Sequence, residues 1–189
     1  MLGPTLQTER LILRPPEQGD LDAWAELFGD PQSARFIGGA RTRPESWRTL
    51  AMVTGMWPLR GFGTFSVIEK ATGACVGSAG PWQPEGWPGT EVGWSLVRSR
   101  WGRGYATEAA SACLDWAFDE LGWTEVIHCI DPQNAASAAV ARRLGSPFLR
   151  TARMPPPFAD HECQIWGQTR EAWRARRSGA QAPSGDAAC

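Results

Sequence analysis

Residues 91–107 connect an apolar, strand-like segment to an amphipathic helix through a loop that contains two closely spaced glycines. Gly102 and Gly104 carry no Cβ, so a ligand can approach the loop backbone closely. The N–H groups of the first helical turn have no partner within the helix, and they lie at the positive end of its dipole. Nearby arginines add cations that suit phosphate oxygens; they are Arg98, Arg100 and Arg103. The segment therefore predicts a site for a polyphosphate anion, although a tight strand-to-helix turn with solvated arginines fits the loop equally well.

Two other phosphate-binding loops do not match this sequence. There is no Gly-x-x-x-x-Gly-Lys-Ser/Thr run, and the single lysine, Lys70, is far from the loop. A P-loop nucleotide triphosphatase is therefore unsupported. The third glycine of the dinucleotide-binding pattern is missing, and Asp119 and Glu120 fall within the predicted helix rather than at the end of a second strand. A dinucleotide site is a poor fit for the same loop.

Hydrophobic periodicity predicts alternating strands and helices along most of the chain. The most regular part has a strand over 91–97, a helix over 106–121 and a strand over 125–130, and then a helix from Asn134 to Leu144. The other predicted elements are strands at 10–14, 148–153 and 162–169, a hairpin over 64–79, a helix capped by Asp20, and a helix that opens near Pro44 and is closed by Pro58, Gly61 and Gly63. Together they predict one α/β (α+β) domain and, after it, a disordered tail rich in Ala, Gly and Ser.

Charge and cysteine content argue against several other classes. Nineteen Lys and Arg against 20 Asp and Glu leave no basic surplus for nucleic acid. Five cysteines without a Cys-x-x-Cys pair favour reduced, buried thiols over a disulfide framework. His161 and Cys163 share a strand face, but no second pair has matching spacing, so we expect no metal. No segment approaches the roughly 18 apolar residues that cross a membrane, so we expect a cytoplasmic protein.

Four separated motifs together resemble the GNAT family of N-acetyltransferases. They are Thr8-Glu9-Arg10-Leu11-Ile12-Leu13-Arg14, Glu91-Val92-Gly93-Trp94, Trp101-Gly102-Arg103-Gly104-Tyr105-Ala106-Thr107-Glu108-Ala109, and Asn134-Ala135-Ala136-Ser137 ahead of Arg143-Leu144-Gly145. The combination is similar to the branch that includes ribosomal-protein N-terminal acetyltransferases. The resemblance implies a three-layer fold with a mixed, mostly antiparallel, splayed sheet flanked by helices. It also implies a catalytic domain over residues 1–173, with the tail over 174–189, and acetyl-coenzyme A (acetyl-CoA) as the polyphosphate ligand.

The same resemblance assigns residues to acetyl-CoA. The loop that matches Trp101 to Ala106 wraps the pyrophosphate in the family, and Trp101 stands where the commoner form has Arg or Gln. Strand 91–97 separates from strand 125–130 and pairs with the pantetheine amides, and a backbone N–H near Leu96 or Val97 holds the thioester oxygen. The residues that the resemblance implies at the cosubstrate are Leu96, Val97, Arg98, Trp101, Gly102, Arg103, Gly104, Tyr105, Ala106, Thr107, Asn134, Ser137 and Arg143. For Asn134, a helix cap is an equally good interpretation.

The reaction implied by the resemblance is direct attack of a neutral amine on the thioester. Glu91 is the candidate base, although a charged strand-end residue that only fixes a neighbouring loop fits as well. Asp131, Asp160 and Glu162 are weaker alternatives. Many GNAT enzymes use a tyrosine after the cosubstrate motif as general acid, but the single tyrosine of this chain is Tyr105. Ser137 is therefore the candidate acid.

The sequence does not name the acceptor amine. The resemblance favours a protein or peptide N-terminal α-amine. A small-molecule amine or antibiotic remains open, as does a non-catalytic sensor of acyl-CoA, and the chain is expected to be a monomer or a homodimer. Several aromatic residues could line an acceptor cleft or fill the core; they are Trp57, Trp82, Trp87, Trp94, Phe62 and Phe65.

Overall fold

The computed structural model describes residues 2–155 and 162–181. The strands in these residues are β1 (Leu6–Gln7), β2 (Leu11–Arg14), β3 (Phe65–Glu69), β4 (Cys75–Trp82), β5 (Glu91–Leu96), β6 (Glu125–Ile130), β7 (Phe148–Arg153) and β8 (Glu162–Thr169). The helices are α1 (Leu21–Gly29), α2 (Pro31–Ala34), α3 (Arg43–Arg60), α4 (Tyr105–Asp119), α5 (Ala135–Leu144) and α6 (Arg170–Gln181).

All of these strands join one sheet in the order β1-β2-β3-β4-β5-β6-β8-β7. Every neighbouring pair is antiparallel except β5 and β6, which are parallel. The predicted mixed, mostly antiparallel sheet is confirmed. The one parallel pair joins the N-terminal strands β1–β5 to the C-terminal strands β6–β8.

Helices cover both faces of the sheet. On one face, the indole of Trp24 in α1 donates to Ser66 Oγ of β3 at 3.2 Å. On the other, the ring of Trp116 in α4 lies 5.3 Å from the ring of Phe65, the residue beside Ser66. Successive side chains of a strand point to opposite faces, so α1 and α4 sandwich the sheet. This is the predicted three-layer arrangement.

Two residues that were predicted to mark helix ends, Pro58 and Asp20, have other roles in the structure. Pro58 lies inside α3, which continues to Arg60 and ends at Gly61 with a φ of +76°. The neighbouring Trp57 is buried against Phe65 and Trp116, and this packing holds the last turn although proline removes one hydrogen bond. Asp20 precedes α1 but does not cap it with its side chain. Its carboxylate instead accepts two hydrogen bonds from Arg14, each 2.8 Å long.

Helix α6 takes the place of the first part of the predicted tail. It runs through Gln181, past residue 174, where the tail was expected to begin; residues 182–189 lie outside the described residues. Trp173 is buried and donates from Nε1 to Asp115 Oδ1 of α4 at 2.8 Å, and Arg177 donates to Asp115 Oδ2 at 2.9 Å. Trp173 is the one large apolar side chain of this arginine-rich helix, and its hydrogen-bond partner lies on α4, so the search for an apolar stripe did not predict the helix.

Candidate active site

Strands β5 and β6 form a fork. They are paired only at Glu91 and Ile127, where the Ile127 N–H donates to Thr90 O at 2.9 Å. The opposite edge of β5 stays paired with β4 along its length, and the pairing continues with Val97 N–H donating to Val76 O at 3.0 Å. Beyond Glu91, β5 therefore remains in the N-terminal half of the sheet while β6 separates from it. The chain has the splayed geometry that the family resemblance implied.

Glu91 lies at the base of this fork. It is only 7% exposed. Its Oε1 accepts from the Cys129 N–H at 3.1 Å, and its Oε2 accepts from the indole N–H of Trp87. Burial disfavours the charged form and raises the pKa of Glu91 from 4.5 to about 7, although both hydrogen bonds act in the opposite direction. The carboxylate can therefore both take up and release a proton near neutral pH.

A cavity of about 640 Å³ connects Glu91 with the N-terminus of α5. It lies between the face of the sheet that carries Glu91 and the segment from α1 to residue 41, and Ser137 and Asn134 line it too. The structure therefore brings the two candidate catalytic residues, Glu91 and Ser137, to one cavity. Asp131 and Glu162 also line it, whereas Asp160 lies outside the described residues.

The candidate aromatic residues divide into two groups. Trp82, Trp87 and Trp94 line the cavity. The other three are buried in the core; they are Trp57, Phe62 and Phe65. Sequence reasoning missed three further aromatic residues that line the cavity, Trp24, Phe28 and Phe36. Trp24 and Phe28 lie in α1, and periodicity does not distinguish a helical residue that fills the core from one that borders a cleft.

Asn134 has the capping geometry that was one of its two interpretations. Its Oδ1 accepts from the Ser137 N–H at 3.1 Å at the start of α5. This bond fixes the first turn of α5, in which Ser137 lines the cavity. Arg143 lies in the last turn of the same helix and is exposed, and its main-chain oxygen accepts from Arg176 at 2.7 Å.

The glycine loop has the backbone conformation that its sequence predicts. Gly102 and Gly104 have φ values of +74° and +81°, in the region that side chains with a Cβ avoid. The first hydrogen bond of α4 runs from Glu108 N–H to Gly104 O, at 3.0 Å. The N–H groups of Tyr105, Ala106 and Thr107 therefore precede the helical ladder and face the N-terminal end of α4. Trp101 donates from Nε1 to Leu96 O at 2.8 Å, so its side chain ties the loop to the end of β5.

The arginines expected at the phosphates have carboxylate neighbours. Arg98 lies 3.5 Å from Asp30, and Arg100 and Arg103 lie 3.4 and 3.7 Å from the two oxygens of Glu69. The Tyr105 hydroxyl also donates to Glu69, at 2.7 Å, and this bond raises the pKa of Tyr105. Tyr105 is buried, and its side chain packs beneath the loop.

The motif at residues 8–14 holds the same loop and the start of α4 through hydrogen bonds. Glu108 in the first turn of α4 accepts from Thr8 Oγ1 at 2.5 Å, from Arg10 N at 2.8 Å and from Arg10 Nε at 2.7 Å. Arg10 Nη1 also donates to Arg103 O at 3.0 Å. These contacts lock the start of α4 and the glycine loop onto the sheet, a role that sequence reasoning did not assign, although both motifs had been noticed.

Two features are absent from residues 2–155 and 162–181. No group of three or more His, Cys, Asp and Glu side chains in these ranges is placed to hold a metal ion. None of the helices in this part of the chain is long and apolar enough to cross a membrane.

Comparison with known proteins agrees with the fork and the loop. The family described as acetyltransferase (GNAT) domain matches residues 10–146. The chain is 34% identical over 156 residues to the protein YkkB of Bacillus subtilis, which covers 78% of this chain and 88% of YkkB. It is 30% identical over 192 residues to the FsC-acetyl coenzyme A-N(2)-transacetylase of Aspergillus fumigatus, with 90% of this chain and 78% of that protein covered.

A solved structure agrees as well. The acetyltransferase from Agrobacterium tumefaciens is 34% identical to this chain and superposes with a TM-score of 0.78 over 88% of this chain and 95% of that one. The strand fork, the glycine loop at the N-terminus of α4 and these matches lead to one conclusion: the chain belongs to the GNAT family and is an acetyl-CoA-dependent N-acetyltransferase.

Proposed function

We propose that this enzyme acetylates the α-amine of a peptide or protein N-terminus, with Glu91 as the base. The observation that carries the proposal is the buried position of Glu91 beside the cavity, with a pKa of about 7. An α-amino group has an ordinary pKa of about 8 and a lysine side chain about 10.4. Near neutral pH a large share of Glu91 is ionised and an appreciable share of an α-amine is already neutral. A base of this strength therefore suits an α-amine better than a lysine.

Glu91 accepts the proton that the amine loses, directly or through one water. During this step the amine nitrogen bonds to the thioester carbon, the carbon–sulfur bond breaks, and the thiolate leaves. A carboxylate can accept about four hydrogen bonds, so Glu91 keeps capacity for this proton while it holds Trp87 and Cys129. The aromatic rings of Trp82 and Trp94 border the same cavity and limit the access of water to the base.

The residues of the loop and of β5 fit an acyl-CoA. The N–H groups of residues 105–107 and the positive φ of Gly102 and Gly104 suit a pyrophosphate at the start of α4. Arg98 and Arg103 have side chains that are 61% and 50% exposed, so they can be shared between their carboxylate neighbours and an incoming phosphate.

Leu96 is the better of the two proposed donors to the thioester oxygen. The Val97 N–H is already donated to Val76 O of β4. The N–H and C=O groups of successive strand residues alternate between the two edges, and Val92 O faces β6, where His128 Nδ1 lies 2.6 Å away. Leu96 is in register with Val92 along this alternation, so its N–H points into the fork. Such a donor is worth about 3 kcal/mol in comparable oxyanion holes.

Ser137 is proposed as the group that returns a proton to the thiolate. Its hydroxyl borders the cavity at the first turn of α5, where the helix dipole also favours a developing negative charge. Because a thiolate is a weak base, this proton transfer adds little to the rate.

A small-molecule amine is the second candidate acceptor, and two observations favour it. The cavity is lined by several large aromatic side chains, as is usual for sites that bury compact ligands. The Aspergillus fumigatus relative is named as a transacetylase that acts at an N(2) position. For a peptide or a small-molecule acceptor alike, the aromatic lining suits an amine that carries an apolar or aryl group.

The test is an acceptor screen that follows thiol release from acetyl-CoA. One set contains peptides with a free N-terminal Ser, Ala or Met. Matched peptides carry a blocked N-terminus and an internal lysine, and a third set contains polyamines and aminoglycosides. We expect kcat/KM to be at least about tenfold higher for the free N-terminal peptides, because their amine is the more easily deprotonated. Higher kcat/KM for the blocked lysine peptides or for the third set would refute the α-amine assignment.

A further inference from the structure

The base of the fork lacks a main-chain hydrogen bond that a continuing parallel ladder would contain. Ile127 N–H bonds to Thr90 O, so the next bond of the same kind would join Cys129 N–H to Val92 O. Neither group is left unpaired. Cys129 N–H donates to Glu91 Oε1 at 3.1 Å, and Val92 O contacts His128 Nδ1 at 2.6 Å. Two side chains thus replace one main-chain bond at the point where the strands separate.

The protonation of His128 follows from its other contacts. Its Nε2 lies 3.0 Å from Ser146 Oγ, which also accepts from Gln168 Nε2 at 2.9 Å. Gln168 Nε2 also donates to Leu144 O at 3.1 Å, which fixes the orientation of its amide group. Ser146 therefore uses its own hydrogen toward His128 Nε2, and Nδ1 carries the proton that is donated to Val92 O. Burial lowers the pKa of His128 to about 4, so the ring stays in this neutral form.

We propose that His128 is a positioning residue that holds the fork open, so that the β5 edge at Trp94 and Leu96 stays available to the pantetheine arm of acetyl-CoA. The imidazole occupies Val92 O, the acceptor through which β5 and β6 would otherwise continue to pair. Its ring also lies 4.9 Å from that of Trp94, the next residue of β5 whose main chain faces the fork. The inference rests on the proposed function, because it assumes that the pantetheine lies along this edge.

His128 fixes the point at which β5 separates from β6, and the position of the thioester along β5 follows from that point. The next main-chain groups of β5 on this edge are those of Trp94 and the N–H of Leu96, which follow Val92 by two and four residues, about 7 and 13 Å along a strand. A shift of about 1 Å in a reacting group can reduce a rate a hundredfold. The chain from Leu144 and Ser146 through Gln168 connects His128 to β8 and to the end of α5, so the fork is braced against the C-terminal half of the sheet rather than by the main chain alone.

The test compares two replacements of His128. His128→Asn places an amide N–H where Nδ1–H now lies and keeps a donor to Val92 O. His128→Leu has a similar bulk and no donor. Leu114→Ala serves as the matched control, because Leu114 is a fully buried residue of α4 whose loss destabilises the core without removing a contact of the fork.

Binding of coenzyme A is measured by titration calorimetry, and KM is measured separately for acetyl-CoA and for the acceptor. We expect His128→Leu to weaken coenzyme A binding about tenfold or more and to raise the KM of acetyl-CoA similarly, as befits the loss of one buried donor and its positioning effect. The KM of the acceptor should change by less than about twofold. His128→Asn should restore most of the coenzyme A affinity, and Leu114→Ala should lower only the unfolding temperature.

Unchanged coenzyme A affinity in folded His128→Leu would overturn the inference, as would equal loss in His128→Asn and His128→Leu. If His128→Leu does not fold, Ser146→Ala gives the answer, because it removes the partner that fixes the His128 tautomer. We expect coenzyme A to bind at least about threefold more weakly to Ser146→Ala, and unchanged binding would again overturn the inference. Failure of the unmodified protein to bind coenzyme A would instead refute the proposed function.

Discussion

Replacing Glu91 by glutamine is expected to lower activity and raise stability at the same time. Burial raises the pKa of Glu91 from 4.5 to about 7. Each tenfold change in proton affinity corresponds to about 1.4 kcal/mol, so the ionised carboxylate costs the folded state roughly 3 kcal/mol above neutral pH. The folded chain binds the Glu91 proton more tightly than the unfolded chain. The free energy of unfolding therefore falls as pH rises from 4.5 to about 7 and stays lower above that range.

Glutamine is neutral at every pH and escapes this cost. Its single oxygen can accept from either Cys129 or Trp87 but not from both, and the lost hydrogen bond costs about 1 kcal/mol. Glu91→Gln should therefore be about 2 kcal/mol more stable than the unmodified protein near pH 8, and the difference should vanish near pH 5. Urea unfolding at the two pH values measures it.

The same variant should transfer acetyl groups at least about a hundredfold more slowly, since it lacks the base. The kcat/KM of the unmodified protein should fall below pH 7 as Glu91 takes up its proton, and the variant should lack this limb of the profile. Asp131→Asn and Glu162→Gln are the controls, because both carboxylates line the cavity and both were alternative bases. A kcat/KM for Glu91→Gln equal to that of the unmodified protein at every pH, or equal stability of the two proteins at both pH values, would refute the assignment.

Three further substitutions test the loop and the α5 terminus. Gly104→Val should weaken coenzyme A binding at least about tenfold, because a branched side chain at a φ of +81° strains the loop and meets Arg10 at 3.4 Å; Gly122→Val, at a φ of +69° elsewhere, should leave that affinity unchanged in calorimetry. Ser137→Ala should lower kcat by less than about threefold in the thiol-release assay, and a hundredfold loss would contradict the minor role given to this acid. Arg10→Ala should both lower the thermal midpoint and weaken coenzyme A binding, because Arg10 joins Glu108 to Arg103 O. A variant that is less stable but binds coenzyme A with unchanged affinity would contradict a role of these contacts in binding.

Much of the site was predictable because its signals are local. A glycine pair with positive φ, an apolar stripe that begins directly after it, and an asparagine ahead of a helix each depend on torsion angles and on neighbours within one or two turns. The positive φ of Gly102 and Gly104 and the helix cap formed by Asn134 were therefore predicted from sequence. Glu91 was singled out as a candidate because it starts a strand and because the family resemblance implied a base.

Other features depend on partners that are far apart in the chain. The raised pKa of Glu91 comes from burial between β5, Trp87 and Cys129, and no local pattern contains burial. The ion pairs of Arg100 and Arg103 are with Glu69, which lies more than 30 residues earlier in the chain. Helix α6 went unpredicted because Asp115, which accepts from Trp173, lies on α4.

The sequence by itself determined most of the order of strands and helices, the positive φ of the glycine turn and, through its motifs, the family, because periodicity, glycine torsion and short motifs act within short stretches. The tertiary structure alone decided that Leu96 rather than Val97 faces the fork, that Glu91 titrates near neutral pH, and that His128 takes the place of a main-chain bond. These depend on which main-chain groups remain unpaired where β5 and β6 separate. Pairing between distant strands sets that point, and it exists only once the sheet has formed.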